Sequence, residues 1–159
     1  MESKKIQPDS EWAALREAQT KALKLDQVGM AVTIDIGLAD DIHPKNKQEV
    51  GRRLALVALA GKLWKKCFSS APVFQNYIIK GNKMELDFGQ KQDGFQIKGT
   101  TLKGFTIAGP DRVFYPAEAM VHDGKIILSS TEVPAPLAAR YGWADNPDCN
   151  LYGENGRPG

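Results

Sequence analysis

A nearly continuous apolar run between two helical patterns constrains this chain more than any other feature. The run extends from Val28 to Ile36, and its centre, Met30 to Ile34, lacks the strict alternation of a strand with one solvent face. A continuous run is typical of a strand that is covered on both faces, as in parallel α/β sheets. We therefore predict a strand over 30–34 within an α-β-α piece of a doubly wound sheet, and we expect its partner strands to lie outside this chain.

Helical patterns lie on both sides of the run, and the two predicted helices would cover the two faces of the strand. Between Pro8 and Asp26, and again between Asn46 and Lys66, apolar residues recur every three or four positions. This spacing predicts two helices with one apolar stripe each. In the first helix, which Asp9 or Ser10 can cap, the stripe consists of Trp12, Leu15, Ala18, Ala22 and Leu25. We expect it to pack on the sheet.

The segment Asp-Asp-Ile-His-Pro, residues 40–44, follows the predicted strand. In open α/β sheets, active sites lie beyond the carboxyl ends of the strands. A neutral histidine there can take a proton from a hydroxyl nucleophile if a carboxylate fixes its tautomer. His43 is our candidate base and Asp40 our candidate orienting carboxylate, with Asp35 and Asp41 as alternatives. The second histidine, His122, lies in a His-Asp-Gly turn pattern and is interpreted as surface.

The residues around this motif resemble a known enzyme family. The segments MAVTIDIG (30–37) and DDIHPKNKQEVGRRLAL (40–56) look like the last catalytic block of the sialate O-acetylesterases, and the likeness continues through GFTIAG (104–109), FYPA (114–117) and RYGWADNP (140–147). These enzymes are serine esterases of the SGNH hydrolase superfamily, which has a flavodoxin-like fold.

The resemblance implies a role for each motif residue and a substrate class. Asp40 and His43 match the family's Asp-x-x-His block, so His43 would be the general base and Asp40 its orienter. The implied partner is an acetylated carbohydrate of the sialic acid type. The resemblance implies neither a metal nor an organic cofactor, and it suggests a secreted or periplasmic bacterial enzyme.

The chain departs from the family pattern at the nucleophile. Family members carry a serine in a glycine-flanked block upstream of the histidine, and none of the six serines here has that context: Ser3, Ser10, Ser69, Ser70, Ser129 and Ser130. We therefore expect a C-terminal portion of an esterase that needs the missing N-terminal catalytic segment of the same protein. Alone it should be inactive.

Composition changes near Pro72, where helical periodicity gives way to short alternating segments and glycine turns. Alternation and turn signals predict antiparallel strands near 83–88, 104–107, 119–121, 126–128 and 137–141. We predict an α+β chain with two parts: residues 1–70 as the end of an SGNH esterase domain, and residues 71–159 as an antiparallel β-sandwich-like domain.

Charge and cysteine content exclude several function classes. The chain has 21 Lys and Arg against 19 Asp and Glu, a net charge of +2, which favours neither nucleic-acid nor membrane partners. The two distant cysteines, Cys67 and Cys149, are interpreted as unpaired thiols, with a disulfide as the open alternative. Two histidines are too few for a histidine-rich metal site.

Two clusters leave a choice between a structural and a binding role. Lys45, Lys47, Arg52 and Arg53 are interpreted as a solvated helix face, with a positive rim for a sugar carboxylate as the alternative. Arg140, Tyr141, Trp143 and Asn146 are interpreted as an aromatic corner of the sandwich, with sugar stacking as the alternative. The alternative function is accordingly a non-catalytic carbohydrate-binding or scaffold β-module.

Overall fold

The computed structural model describes residues 7–43, 45–62, 72–89, 94–153, 156 and 158. Within these ranges the helices are α1 (Glu11–Lys21), a following 3-10 helix (Ala22–Lys24) and α2 (Lys47–Lys62). The strands are β1 (Asn76–Lys80), β2 (Lys83–Asp87), β3 (Phe95–Ile97), β4 (Phe105–Ala108), β5 (Phe114–Pro116), β6 (Glu118–His122), β7 (Lys125–Ser129), β8 (Ala138–Tyr141) and β9 (Leu151–Gly153). The chain is therefore a mixed α+β protein, as predicted.

The described strands form three sheets. A four-stranded sheet has the order β1-β2-β7-β6, a three-stranded sheet has the order β5-β4-β8, and β3 pairs with β9. Every one of these pairings is antiparallel. The prediction of short antiparallel strands beyond residue 72 is therefore confirmed. None of the described helices is long and apolar enough to cross a membrane.

Alternation along β2 and β7 builds the centre of the core. Met84 and Leu86 of β2 lie opposite Leu128 and Ile126 of β7, and all four side chains are at most 4% exposed. Because side chains alternate along a strand, this register directs all four to one face. Burying each of them contributes about 1.5–3 kcal/mol. Ile107 of β4 and Leu151 of β9 join the same apolar cluster.

The turn between β6 and β7 is set by local sequence. His122 pairs with Lys125, and the two loop residues Asp123 and Gly124 have φ of 48° and 72°. Positive φ at both positions is the requirement of a type I′ turn, which Asp-Gly satisfies. The predicted hairpin is confirmed, with His122 on the surface at 68% side-chain exposure.

Helix α1 forms where predicted, but its apolar stripe does not pack on a sheet. Ser10 caps it by accepting a hydrogen bond from the backbone N–H of Ala13 at 3.0 Å. Trp12, Leu15 and Leu25 are 53%, 48% and 65% exposed. The prediction that the stripe packs on a sheet is therefore wrong for the described part of this chain, since these large side chains remain in contact with solvent.

Polar contacts attach α1 to the C-terminal region instead. Arg16 Nη2 donates to the carbonyl oxygens of Gly142 at 2.8 Å and of Ala144 at 2.5 Å. The Ser10 hydroxyl donates to Asp145 Oδ1 at 2.6 Å. The helix is therefore held by these polar contacts together with Ala13, its one buried side chain, rather than by the predicted apolar stripe.

The predicted strand at 30–34 is also wrong for this chain. Residues 28–33 carry no regular structure and 34–36 form a turn. A strand needs a neighbouring backbone to receive its hydrogen bonds, and no described strand pairs with this segment. Among its residues, 30–36 are half-buried.

Helix α2 begins at Lys47, one residue after the predicted start. The Asn46 side chain accepts a hydrogen bond from the backbone N–H of Glu49 at 3.1 Å, which satisfies a free donor of the first turn. The predicted end at Lys66, the predicted domain boundary at 70/71 and Cys67 lie outside the described residues.

Candidate functional site

The candidate histidine lies on an exposed loop that leads into α2. An isolated bridge between Leu38 and Asp41 closes this loop. Asp41 Oδ1 accepts a hydrogen bond from the backbone N–H of His43 at 2.8 Å. The same oxygen lies 3.2 Å from His43 Nδ1. The His43 side chain is 81% exposed, so Nε2 is accessible to a reacting group.

The carboxylate at His43 Nδ1 belongs to Asp41, one of the two alternatives to Asp40. Asp40 is exposed, and no hydrogen bond or ion pair joins it to His43 within the part of the chain that the structure describes. The contact from Asp41 spans two residues, a spacing at which aspartate side chains commonly fold back onto the backbone. The structure thus places a carboxylate beside the imidazole of His43, but this carboxylate belongs to Asp41 and not to the predicted Asp40.

Asp35, the other alternative, is committed to a buried ion pair. Arg53 Nη1 lies 2.6 Å from Asp35 Oδ1, and Nη2 lies 2.9 Å from Oδ2. The two side chains are 6% and 7% exposed. Burial favours the neutral acid, but the hydrogen bond and charge of Arg53 outweigh it and lower the pKa of Asp35. Asp35 is therefore ionised, and both of its carboxylate oxygens are bonded to Arg53.

Arg53 joins the loop before the motif to α2. Besides Asp35, it donates to the Val32 carbonyl oxygen at 2.7 Å and to Glu49 Oε1 at 2.8 Å. Hydrogen bonds to Asp35, followed by those to Glu49, raise the pKa of Arg53. Charge-assisted, bidentate bonds of this kind fix geometry as well as contributing energy.

The same ion pair reaches the β region. The Tyr152 hydroxyl, on β9, lies 3.3 Å from Asp35 Oδ2. One buried carboxylate in the segment before the motif therefore contacts both helix α2 and a strand near the end of the chain.

The sequence interpretation of Arg53 as part of a solvated face is wrong. Arg53 is 5% exposed, whereas the Arg52 side chain is 51% exposed and pairs with Glu49 on the surface. The signal was available: Arg53 stands three residues after Val50 and four before Val57, on the apolar stripe of α2. A charged residue on such a stripe is rarely buried unless it is paired.

The described residues hold no serine at the histidine. Ser10 is buried as the cap of α1 and bonds to Asp145, and Ser129 ends β7. No hydrogen bond between a serine hydroxyl and His43 is present in the described ranges. The other serines near the ends of the α part, Ser3, Ser69 and Ser70, lie outside them. Among the described residues, His43 therefore has a carboxylate beside it but no serine hydrogen-bonded to it.

The C-terminal aromatic cluster is built around Arg140. Its guanidinium carbon lies 3.9 Å from the ring centre of Phe114 and 4.2 Å from that of Trp143. Arginine is attracted to aromatic faces by their negative charge density. Because the guanidinium occupies this face of Trp143, the same face cannot also stack on a sugar.

The fold and the loop together define an α+β protein that presents an accessible imidazole beside a carboxylate. A scan against protein-family models found no matching family, and a search of curated proteins found no matching protein. Among solved structures, the chain is similar to the crystal structure of a novel carbohydrate acetylesterase from Xanthomonas citri, with 44% sequence identity and a TM-score of 0.87. The match covers 94% of this chain but 35% of the esterase. The chain thus spans about a third of the length of the protein that it matches.

Proposed function

We propose that this chain is the C-terminal part of a carbohydrate O-acetylesterase. The observation that carries the proposal is the 44% identity with a carbohydrate acetylesterase over 94% of the chain. The accessible imidazole of His43, with a carboxylate 3.2 Å from its Nδ1, gives that likeness a chemical basis. The proposed substrate is an acetylated sugar of the sialic acid type, a specificity that only the sequence resemblance supports.

In the proposed mechanism His43 serves a serine supplied by the preceding segment. His43 Nε2 accepts the serine proton as the hydroxyl oxygen attacks the acetyl carbonyl. The imidazolium then donates this proton to the sugar oxygen, which leaves as an alcohol, and an acetyl-enzyme remains. His43 next takes a proton from water as the water oxygen attacks the acetyl group. The imidazolium then returns this proton to the serine oxygen as the bond to the acetyl group breaks, which releases acetic acid and restores the serine hydroxyl and the neutral imidazole.

Two carboxylates are candidates for orienting the imidazole. Asp40 is our proposed orienter because it matches the Asp-x-x-His block of the sialate O-acetylesterases. Asp41 is the second candidate because its Oδ1 lies 3.2 Å from Nδ1 of His43. Exchanging each for asparagine separates the two.

Exposed apolar side chains on the α part support a missing segment. Trp12 and Leu15 on α1, Ile42 beside the histidine and Leu54 on α2 are 53%, 48%, 80% and 52% exposed. Leaving a large apolar side chain in water forgoes about 1.5–3 kcal/mol of burial. We propose that these side chains pack against the N-terminal catalytic segment of the same protein.

The finer description of the fold follows from this proposal. Residues 1–70 would complete a flavodoxin-like SGNH domain, in which the segment 30–34 becomes a strand once neighbouring strands are present. Residues 71–159 would form a β-sandwich-like domain. The apolar cluster that joins β2 and β7 to β4 and β9 supports the sandwich.

The test compares the chain alone with the chain joined to its natural upstream coding sequence. Release of acetate from acetylated sugars is measured for both proteins and for their His43→Ala variants. We expect turnover only in the longer protein, and a loss of about a thousandfold or more in His43→Ala. His122→Ala is the matched control, because His122 is also exposed and also lies beside an aspartate. Turnover by the longer protein that survives His43→Ala would contradict the mechanism.

The alternative is a non-catalytic carbohydrate-binding or scaffold β-module. The observation that favours it is the lack of a serine hydrogen-bonded to His43 in the described residues. Saturable glycan binding by the chain, together with an inactive longer protein, would favour the module over the esterase.

A further inference from the structure

We propose that a pocket between the N-terminal segment and the sheet β5-β4-β8 is a second carbohydrate site, separate from the His43 loop and suited to an acidic sugar. This assignment rests on the proposed function for its choice of a carbohydrate ligand. The pocket has a volume of about 690 Å³. That size falls in the range of roughly 300–1,000 Å³ that is typical of small-molecule sites.

The pocket combines an apolar floor with two arginine side chains. Its apolar lining includes Pro110, Phe114 and Leu137, and its charged lining consists of Arg112, Arg140 and Asp9. Asp9 pairs with Arg140 at 3.3 Å, and Asp111 lies at the rim, where its Oδ1 accepts a hydrogen bond from the Val113 backbone N–H at 3.1 Å. The pocket therefore offers guanidinium donors rather than an excess of positive charge. A sugar that carries a carboxylate matches both features, because its ring has an apolar face and its acid group pairs with arginine.

Arg140 is held rigidly and has donors to spare. Phe114 and Trp143 contact its guanidinium at 3.9 and 4.2 Å. Its one hydrogen bond to a described residue is to Asp9 Oδ1 at 3.3 Å, and the Asp9 side chain is 93% exposed. Since a guanidinium has five N–H donors and its faces are against aromatic rings, its free edges can receive a carboxylate in plane.

Arg112 is placed by an unfavourable backbone conformation. Its backbone N–H donates to the Gly109 carbonyl oxygen at 3.1 Å, which closes the turn between β4 and β5. Its φ is 59°, in the left-handed region that favours glycine. Its side chain is exposed and makes no ion pair or hydrogen bond with another described residue. A strained residue of this kind often marks a functional position, and here it places a second cation at the pocket.

The segment before α1 forms the remaining wall. The Gln7 backbone N–H donates to the Phe114 carbonyl oxygen at 2.9 Å, and the Gln7 side chain bonds to Trp143 and Thr106. These bonds fix Gln7 along the sheet, two residues before Asp9. The pocket is thus built by ordered contacts on two sides and shares no lining residue with the loop 38–43.

The test is a titration of the chain followed by the chemical shifts of its backbone amides. The probes are trigalacturonate, the corresponding neutral trisaccharide of galactose, and sodium acetate, and none of them is an ester substrate. We expect saturable shifts at Gly109, Val113 and Leu137 with trigalacturonate, and binding weaker by about tenfold or more with the neutral sugar. Equal affinity for the two sugars would overturn the assignment. So would chemical-shift changes that appear with sodium acetate but with neither sugar.

Arg112→Gly is the decisive variant, because glycine suits a φ of 59° and the fold should be retained. We expect it to weaken trigalacturonate binding by about tenfold. Arg140→Lys keeps the charge but loses the planar fork, so a smaller loss is expected. Lys103→Gln is the control, since Lys103 is a surface cation outside the pocket. Unchanged binding by Arg112→Gly would refute the site.

The outcome is independent of the proposed catalytic mechanism. Binding of a non-acetylated ligand requires neither a serine nor His43. If the longer protein proves inactive while trigalacturonate binds, the esterase proposal fails and the pocket stands. If the longer protein releases acetate but trigalacturonate does not bind, the esterase proposal stands and the pocket proposal fails.

Discussion

Arg53 and Asp35 form a bidentate ion pair, with 2.6 Å between Nη1 and Oδ1 and 2.9 Å between Nη2 and Oδ2. The side chains are 6% and 7% exposed. Removing two charges from water is costly, and such pairs often do not add net stability over apolar residues. Their value here is positional, because the pair fixes the segment that leads into the His43 loop against α2 and β9.

Breaking this pair from one side should be strongly destabilising. In Arg53→Met the carboxylate of Asp35 is left buried without its cation, and we expect a loss of about 3–5 kcal/mol in the free energy of unfolding. Urea denaturation measures this loss. Arg52→Met is the matched control, because its pair with Glu49 lies on the surface, where ion pairs contribute little to stability. Similar losses in the two variants would contradict the buried-pair assignment.

Stability should fall in acid through the carboxylates that contact Arg53. The pKa of Asp35 is lowered from its ordinary 3.8, and hydrogen bonds from Arg52 and Arg53 lower the pKa of Glu49 from 4.5 to about 2. A lowered pKa in the folded state means that the stabilisation is complete above the unfolded value and is lost as the pH falls. The window for Glu49 therefore runs from about 4.5 down to about 2.

Urea denaturation between neutral pH and pH 2 tests this dependence. We expect the free energy of unfolding to fall more steeply with acid in the native chain than in Arg53→Met, because the variant has lost the cation that lowers both pKa values. Parallel pH profiles for the two proteins would show that these carboxylates do not carry the acid sensitivity.

The two candidate orienters of His43 should differ in their effect on catalysis. In the longer protein, replacing the orienting aspartate by asparagine disturbs the imidazole tautomer, and we expect kcat to fall by about 10³–10⁴. Asp40→Asn and Asp41→Asn are compared through acetate release. The variant with the large loss identifies the orienter, and the other serves as its control. Losses below tenfold in both would exclude a carboxylate partner from this loop.

The thiol of Cys149 should be unreactive at neutral pH. Burial raises its pKa to about 11, although a hydrogen bond from Tyr141 acts in the opposite direction. The thiolate is the nucleophile in alkylation, so a raised pKa slows the reaction. In a Cys67→Ser background, we expect iodoacetamide to modify native Cys149 much more slowly than it modifies the urea-unfolded chain. Equal rates would indicate an exposed thiolate.

Local sequence determined the parts of this protein whose hydrogen bonds close within a few residues. The Asp123-Gly124 turn needs positive φ at two positions, and the residue types supply it. Ser10 caps α1 through an amide only three residues away. The alternation of β2 likewise showed which of its side chains are buried. The Asp-Asp-Ile-His segment marked the loop on which an imidazole and a carboxylate meet, although the contact is to Asp41 rather than Asp40.

Only the tertiary structure decided what depends on distant partners. Residues 30–34 have the composition of a strand, but a strand exists only where another backbone accepts its hydrogen bonds. Arg53 carries the same charge as Arg52, yet it is buried because Asp35, 18 residues away, compensates its desolvation. Arg112 and Arg140 meet at one pocket because the antiparallel pairing of β4 with β5 and β8 brings their segments together. Periodicity reports which face of an element is apolar, but only the assembled chain determines what covers that face.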